Sequence, residues 1–148
     1  MANLRALISE ATTTAMKARD KPRLAALRLV NAALKQVEVD ERKELNDDDV
    51  IAVLNRMLKQ RRDSESQFRD AGRTDLAEVE AFEIALIGEF MPEPLDDAAV
   101  DALITAAIAS SGAESMRDMG KVMGALRSEV QGRADMGLVS AKVKTALS

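Results

Sequence analysis

The side chains that could do chemistry in this 148-residue chain are carboxylates, lysines, arginines and hydroxyls, because it contains neither histidine nor cysteine. The commonest general base, the Ser/His and Cys/His pairs and ordinary zinc sites are therefore excluded. The acidic run Asn46–Asp49 could hold a metal ion, but such a run directly before Val50 is typical of a capped helix N-terminus. We favour capping, and we expect no catalytic residue, no metal and no cofactor.

A segment near the C-terminus has a pattern that favours binding over catalysis. On a helical wheel its apolar residues share one face, and Arg117, Gly120, Lys121, Gly124 and Ser128 lie opposite. A glycine inside a helix costs about 0.5–1 kcal/mol relative to alanine, so two of them off the packing face need an explanation. Either they leave a smooth surface on which a partner's phosphates meet Lys121 and Arg117, or they let a neighbouring helix or the N-terminal unit pack closely.

Two basic regions occur within a chain of net charge −4. In the C-terminal region, a turn at 131–135 would hold Gly132 at positive φ, and Asp135 would cap the helix that follows. The cations of this region are Arg117, Lys121, Arg127, Arg133, Lys142 and Lys144. The N-terminal region, opposed only by Asp20, contains Lys17, Arg19, Lys21, Arg23, Arg28 and Lys35.

Each basic region could contact an RNA backbone or could be a solvated charged face. The chain has no tyrosine or tryptophan, which argues against stacking on unpaired bases. Any RNA recognition would therefore depend on shape and phosphates.

A set of polar residues falls within or beside the predicted apolar stripes of the second, third and fourth helices: Asn31, Glu38, Arg61, Glu80 and Glu83. Buried charges need partners, so we predict a structural network in which Arg61 meets Glu83 or Glu80. A catalytic carboxylate pair is the alternative, but no nucleophile motif or glycine-rich cofactor loop converges on these residues.

Helices must position these residues, because only three residues are aromatic, glycine and proline are few, and apolar residues recur at three- and four-residue steps. We predict four helices, at about 3–18, 22–40, 48–71 and 74–90, with Thr74 capping the last. The two prolines of Met91–Pro94 mark a junction between units 1–91 and 95–148, and three further helices follow it.

The chain also lacks segments that would direct it to a membrane. No window approaches the roughly 18 consecutive apolar residues of a membrane span. The first residues, Met1–Arg5, lack the apolar run and cleavage site of a signal peptide. We therefore expect a soluble, cytoplasmic protein with no membrane partner.

Several segments together strongly resemble the GatB/YqeY family over nearly the whole chain: Val37–Asp40, Lys59–Ser64, Ala71–Leu76, Asp118–Met123 and Gly132–Asp135. Members of this family are small free-standing proteins similar to the helical tail of the B subunit of the tRNA-dependent amidotransferase. In that larger enzyme, which makes Gln-tRNA or Asn-tRNA, the tail contacts the elbow of tRNA. Its chemistry takes place in a separate cradle domain with no counterpart in these 148 residues.

The resemblance implies an all-α fold in which an N-terminal four-helix unit precedes a three-helix GatB/YqeY-type tail domain. The tail's glycine-rich helix corresponds to Gly120, Lys121 and Gly124, and its turn to Gly132–Asp135 with Arg133. Lys59–Ser64 is characteristic of the small proteins, with no chemistry attached to it.

The function that the resemblance implies is a tRNA-binding, translation-linked accessory role. Its partners would be tRNA and an amidotransferase or aminoacyl-tRNA synthetase, with no DNA. The family is associated with carbon–nitrogen ligase activity that uses glutamine as amido donor, but no residues here supply sites for ATP, magnesium or ammonia delivery. The alternative is a helical protein-interaction adaptor without RNA binding.

Overall fold

The computed structural model describes residues 3–148, and within this range the chain contains helices and no strands. The predicted all-α class is therefore confirmed. No helix in the described range is both long and apolar enough to span a membrane. The seven α-helices are α1 (Leu4–Lys17), α2 (Lys21–Glu41), α3 (Asp47–Asp70), α4 (Thr74–Gly88), α5 (Asp97–Ser111), α6 (Met119–Val130) and α7 (Met136–Leu147).

Most of these helices begin at a short polar side chain that accepts an otherwise unsatisfied backbone N–H. Asn3 caps α1, Asp20 caps α2 and Asp96 caps α5. Asn46 and Asp49 form a reciprocal capping box at α3, in which the Asp49 N–H donates to Asn46 Oδ1 at 2.8 Å. The acidic run before Val50 is thus a helix start, as predicted.

Two helix starts differ from the prediction. Thr74 is the first residue of α4 rather than its cap, and Arg73 occupies the cap position without a side-chain cap hydrogen bond. Arginine can only donate, and the Arg73 guanidinium pairs with Asp75 instead, at 3.1 Å. Ser115 and Asp118 have the spacing of a capping box before the sixth α-helix, but the element that they begin is a short 3₁₀ turn, Met116–Asp118, which leads into α6.

The chain divides into two compact units, Met1–Met91 and Pro92–Ser148. Helices α1 to α4 lie in the first unit and α5 to α7 in the second. Each unit has its own apolar core. The largest fully buried side chains of the first core are Ile8, Leu27, Leu34, Leu54 and Ile87. The second is built on Val100, Ile104, Val122, Leu126, Val130, Val139 and Val143.

The hairpin of α3 and α4 extends beyond the core of the first unit. Core residues on α3 end at Leu58, and those on α4 begin at Ile84. The periodicity of α4 predicts a packing face that includes Val79 and Phe82, and this is wrong for both residues, which are 55% and 44% exposed. Both residues belong to an apolar stripe of α4, but no other helix of the unit covers the stripe at these two positions.

Candidate functional site

Helix α6 separates its apolar and polar residues sharply. Val122, Leu126 and Val130 are at most 1% exposed and belong to the core of the C-terminal unit. Gly120, Lys121, Gly124, Arg127 and Ser128 are all exposed. These residues share the outward side of the helix, which we call the α6 glycine face.

Neither backbone conformation nor packing accounts for the two glycines of this face. Gly124 lies in the interior of α6 and Gly120 is its second residue, and neither has a positive φ. A Cβ built on Gly120 or Gly124 would meet no heavy atom within 4 Å. The prediction that these glycines let a neighbouring helix of the same unit pack closely is therefore wrong.

The cations around the glycine face are largely uncommitted. The Lys121 side chain is 69% exposed, and its Nζ lies 3.8 Å from Asp118 Oδ1, a long and weak pairing. The Asp118 carboxylate instead accepts the backbone N–H groups of Glu114 and Ser115, which lower the pKa of Asp118. Arg117 is exposed and makes no ion pair with any other described residue, and the same holds for Arg127.

The turn after α6 is fixed to its own unit. Gly132 has φ +75°, as predicted. Arg133 is half-buried: its Nε donates to the Glu93 carbonyl at 2.9 Å, and its own carbonyl accepts the Leu95 N–H at 2.7 Å. Asp135 Oδ1 caps α7 by accepting the Gly137 N–H at 2.7 Å. One nitrogen of the Arg133 guanidinium is thus engaged within the fold, so Arg133 is less free than Lys121 to contact a ligand.

One of the predicted polar contacts in the N-terminal unit joins α3 to α4. Arg61 Nε donates to Glu83 Oε2 at 2.9 Å, and the two side chains are only 16% and 14% exposed. Glu80 lies beside this pair without a hydrogen bond of its own among the described residues. Burial raises the pKa of Glu80, and the nearby charge of Glu83 raises it further.

The other predicted polar residues belong to a separate cluster between α1 and α2. Arg5 Nε donates to Glu38 Oε1 at 2.7 Å, and Arg5 Nη1 donates to Asn31 Oδ1 at 2.9 Å. Asn31 Nδ2 in turn donates to Thr12 Oγ1 and to the Leu27 carbonyl, both at 2.8 Å. The predicted single network is therefore two clusters.

Sequence reasoning missed Arg5 and Thr12. The signal available was their spacing of seven residues, two turns of α1, which places both on the side that faces α2. No buried side-chain nitrogen or oxygen in the described residues lacks a partner. The absence of an unpartnered buried polar atom in either cluster indicates structural roles.

The N-terminal basic region loses one of its cations to a residue distant in sequence. Arg23 forms two hydrogen bonds with Glu89, at 2.8 and 3.1 Å, and this pairing raises the pKa of Arg23. Lys17, Arg19, Lys21, Arg28 and Lys35 are exposed, and none of them forms an ion pair within residues 3–148.

Comparison with known proteins adds a family and two relatives. A family model described as "Yqey-like protein" matches residues 5–147. An uncharacterized protein of Schizosaccharomyces pombe is 33% identical over 91 residues, which are 62% of this chain and 74% of the relative. "Altered inheritance of mitochondria protein 41, mitochondrial" of Pyrenophora tritici-repentis is 27% identical over 133 residues, covering 88% of this chain and 73% of that protein.

Proposed function

This chain belongs to the Yqey-like protein family, and on that premise we propose that it is a translation-linked accessory protein that binds tRNA through the α6 glycine face. The family match confirms the GatB/YqeY resemblance drawn from the sequence. We further propose that residues 1–91 form a helical-bundle domain and that residues 95–148 form the three-helix domain corresponding to the amidotransferase tail.

The observation that carries the proposal is the pair of exposed glycines, Gly120 and Gly124, in open space. They cost helix stability without a gain in packing or turn geometry, so a gain outside the unit is the remaining physical reason. A helix surface without Cβ atoms lets a ribose–phosphate backbone approach closely. Arg117, Lys121 and Arg127 then lie beside that surface as cations for the phosphates.

The mode of binding follows from the side chains on this surface. Arginine and lysine recognise phosphates without reading the bases, and the chain has no tyrosine or tryptophan on which bases could stack. Structured RNA, which is recognised by its shape and backbone, fits such a surface better than an unpaired sequence. The proposal assigns no catalytic residue to this chain.

Filter binding of bulk tRNA at about 50 and 200 mM salt tests the proposal. Wild type is compared with Lys121→Glu and with Arg56→Glu, which makes the same charge change at an exposed position of α3 that has no ion pair within residues 3–148. Lys121→Glu is expected to weaken binding about tenfold at the lower salt and to reduce the salt dependence, while Arg56→Glu binds as wild type. Equal, salt-insensitive retention of all three proteins would rule the proposal out.

An adaptor that binds proteins instead of RNA is the second candidate, favoured by the exposed apolar residues Val79 and Phe82 of α4. Its partner would be an amidotransferase or an aminoacyl-tRNA synthetase. Affinity purification from nuclease-treated lysate separates the two candidates. An adaptor keeps its protein partner after the RNA is destroyed, whereas a tRNA-binding protein loses partners that the RNA bridged.

A further inference from the structure

The turn between α1 and α2 holds an arginine in a backbone conformation that favours glycine. Arg19 has φ +56°. The Arg19 N–H donates to the Met16 carbonyl at 3.2 Å, and the Asp20 N–H donates to the Ala15 carbonyl at 3.0 Å. This is the hydrogen-bond pattern of a Schellman motif, whose left-handed residue is usually glycine because a Cβ is crowded there. The arginine is therefore kept at a cost to stability.

The same turn gathers cations that no described residue of its own unit neutralises. Lys17, Arg19 and Lys21 are exposed and form no ion pair with any residue from 3 to 148. Asp20, the only acid of the segment, accepts the Arg23 N–H at 3.3 Å as the cap of α2. Three uncommitted cations thus lie within five residues, which we call the α1–α2 basic turn.

The left-handed backbone of Arg19 costs stability, and glycine would relieve that cost. An arginine kept there beside two unpaired lysines therefore indicates a function for its side chain. We propose that the α1–α2 basic turn is a second contact site for the phosphate backbone of structured RNA, separate from the α6 glycine face. This inference rests on the proposed function. Lys17, Arg19 and Lys21 would each meet phosphate oxygens, so the turn would add affinity without base preference.

The chain provides a matched control for Arg19 at the other end of α2. Arg42 also has a left-handed backbone, with φ +53°, and is also exposed without an ion pair among the described residues. Its surroundings are different, because Glu41 and Glu44 flank it closely in sequence and Lys43 is engaged by Glu41 and Asp49. Arg42 therefore shares the strain and the charge of Arg19 but not its basic neighbourhood.

Arg19→Gly and Arg42→Gly each remove one charge and relieve one left-handed residue. Both variants are expected to raise Tm by about 1–3 °C. Arg19→Gly is expected to weaken the binding of bulk tRNA about three- to tenfold at about 50 mM salt and to lower the salt slope by roughly one. Arg42→Gly is expected to bind as wild type, and Arg19→Lys, which keeps the charge, to stay within about twofold of it.

The outcomes distinguish this inference from the proposed function. If Arg19→Gly binds tRNA as tightly as Arg42→Gly while Lys121→Glu binds weakly, the basic turn is not a contact site and the proposed function stands. If wild type shows no salt-dependent binding of tRNA, both are overturned. Loss of affinity in Arg19→Gly, with retention in Arg42→Gly and Arg19→Lys, supports the basic turn.

Discussion

The two units of the chain place their charged side chains in different ways. In the N-terminal unit, half-buried arginines join neighbouring helices, through Arg5 to Glu38 and Arg61 to Glu83. In the C-terminal unit, each ion pair has one exposed member: Asp101, which Lys142 contacts at 2.7 Å, and Lys121, which lies 3.8 Å from Asp118. Among the described residues, the two interhelical pairs with both side chains half-buried therefore lie in the first unit, and each pair of the second unit has one strongly exposed member.

This difference separates structural polar residues from candidate binding residues. A polar side chain on or beside an apolar stripe must find a partner inside the fold, as Arg61 and Asn31 do. A cation opposite the stripe needs no partner, and Lys121 has only a distant one. Substitutions at the half-buried ion pairs should accordingly change stability, and substitutions at the exposed, unpaired cations should change RNA affinity.

The largest effect on stability is expected at Arg61. Arg61→Ala removes a half-buried ion pair and leaves Glu83 beside Glu80 without a counter-charge, so the free energy of unfolding should fall by about 2 kcal/mol. Arg69→Ala is the control, because its pair with Glu65 joins residues of one helix and Arg69 is 48% exposed. It should lose at most about 0.5 kcal/mol.

Urea denaturation of the two variants measures these losses, and tRNA binding is measured in parallel. Neither variant should change tRNA affinity. A loss of tRNA binding in a folded Arg61→Ala protein would contradict the division between structural polar residues and binding residues.

Substitutions on the α6 glycine face are expected to raise stability and to lower tRNA affinity. Gly120→Ala and Gly124→Ala should each stabilise the protein by about 0.5–1 kcal/mol, because the added methyl group meets no atom and alanine favours the helix. The same methyl group should hinder a phosphate backbone and lower tRNA affinity. Thermal unfolding and filter binding on each variant give both values. A gain in stability with unchanged affinity would remove the functional explanation of the glycines.

The smallest effect is expected at Glu80, and it depends on pH. Burial raises its pKa in the folded protein above the ordinary value of the unfolded chain. The folded state therefore binds the proton more tightly, and stability falls as pH rises through the interval between the two pKa values. Glu80→Gln should stabilise the protein by up to about 0.5 kcal/mol at neutral pH, with the gain disappearing near pH 4.

Denaturation of wild type and Glu80→Gln across this pH range tests the assignment. Glu78→Gln, an exposed change on the same helix, serves as the control with no expected effect. A stabilisation by Glu80→Gln that persists unchanged at low pH would contradict it.

Local features of this fold could be predicted from the sequence. The capped start of α3 at the acidic run 46–49 and the positive φ of Gly132 depend on residues within a few positions of one another. The outward direction of Gly120 and Gly124 also follows from spacing within a single helix. For this reason the residues of the α6 glycine face could be identified from the sequence alone.

Contacts between distant segments could not be predicted in the same way. Arg5 meets Glu38 across 33 residues and Arg23 meets Glu89 across 66, and only the packing of the helices brings them together. The exposure of Val79 depends on how far the core extends along α4, which periodicity does not measure. The left-handed backbone of Arg19 has no sequence signal, because the glycine that typically marks such a residue is absent.

The most direct test of the account is to map backbone amide chemical shifts of the full chain during titration with bulk tRNA. The account predicts the largest changes at Gly120, Lys121 and Gly124, with smaller ones at the α1–α2 basic turn, and none around the pair of Arg61 and Glu83. Unchanged signals at Gly120 and Gly124 in the presence of saturating tRNA would contradict the claim that the α6 glycine face binds RNA.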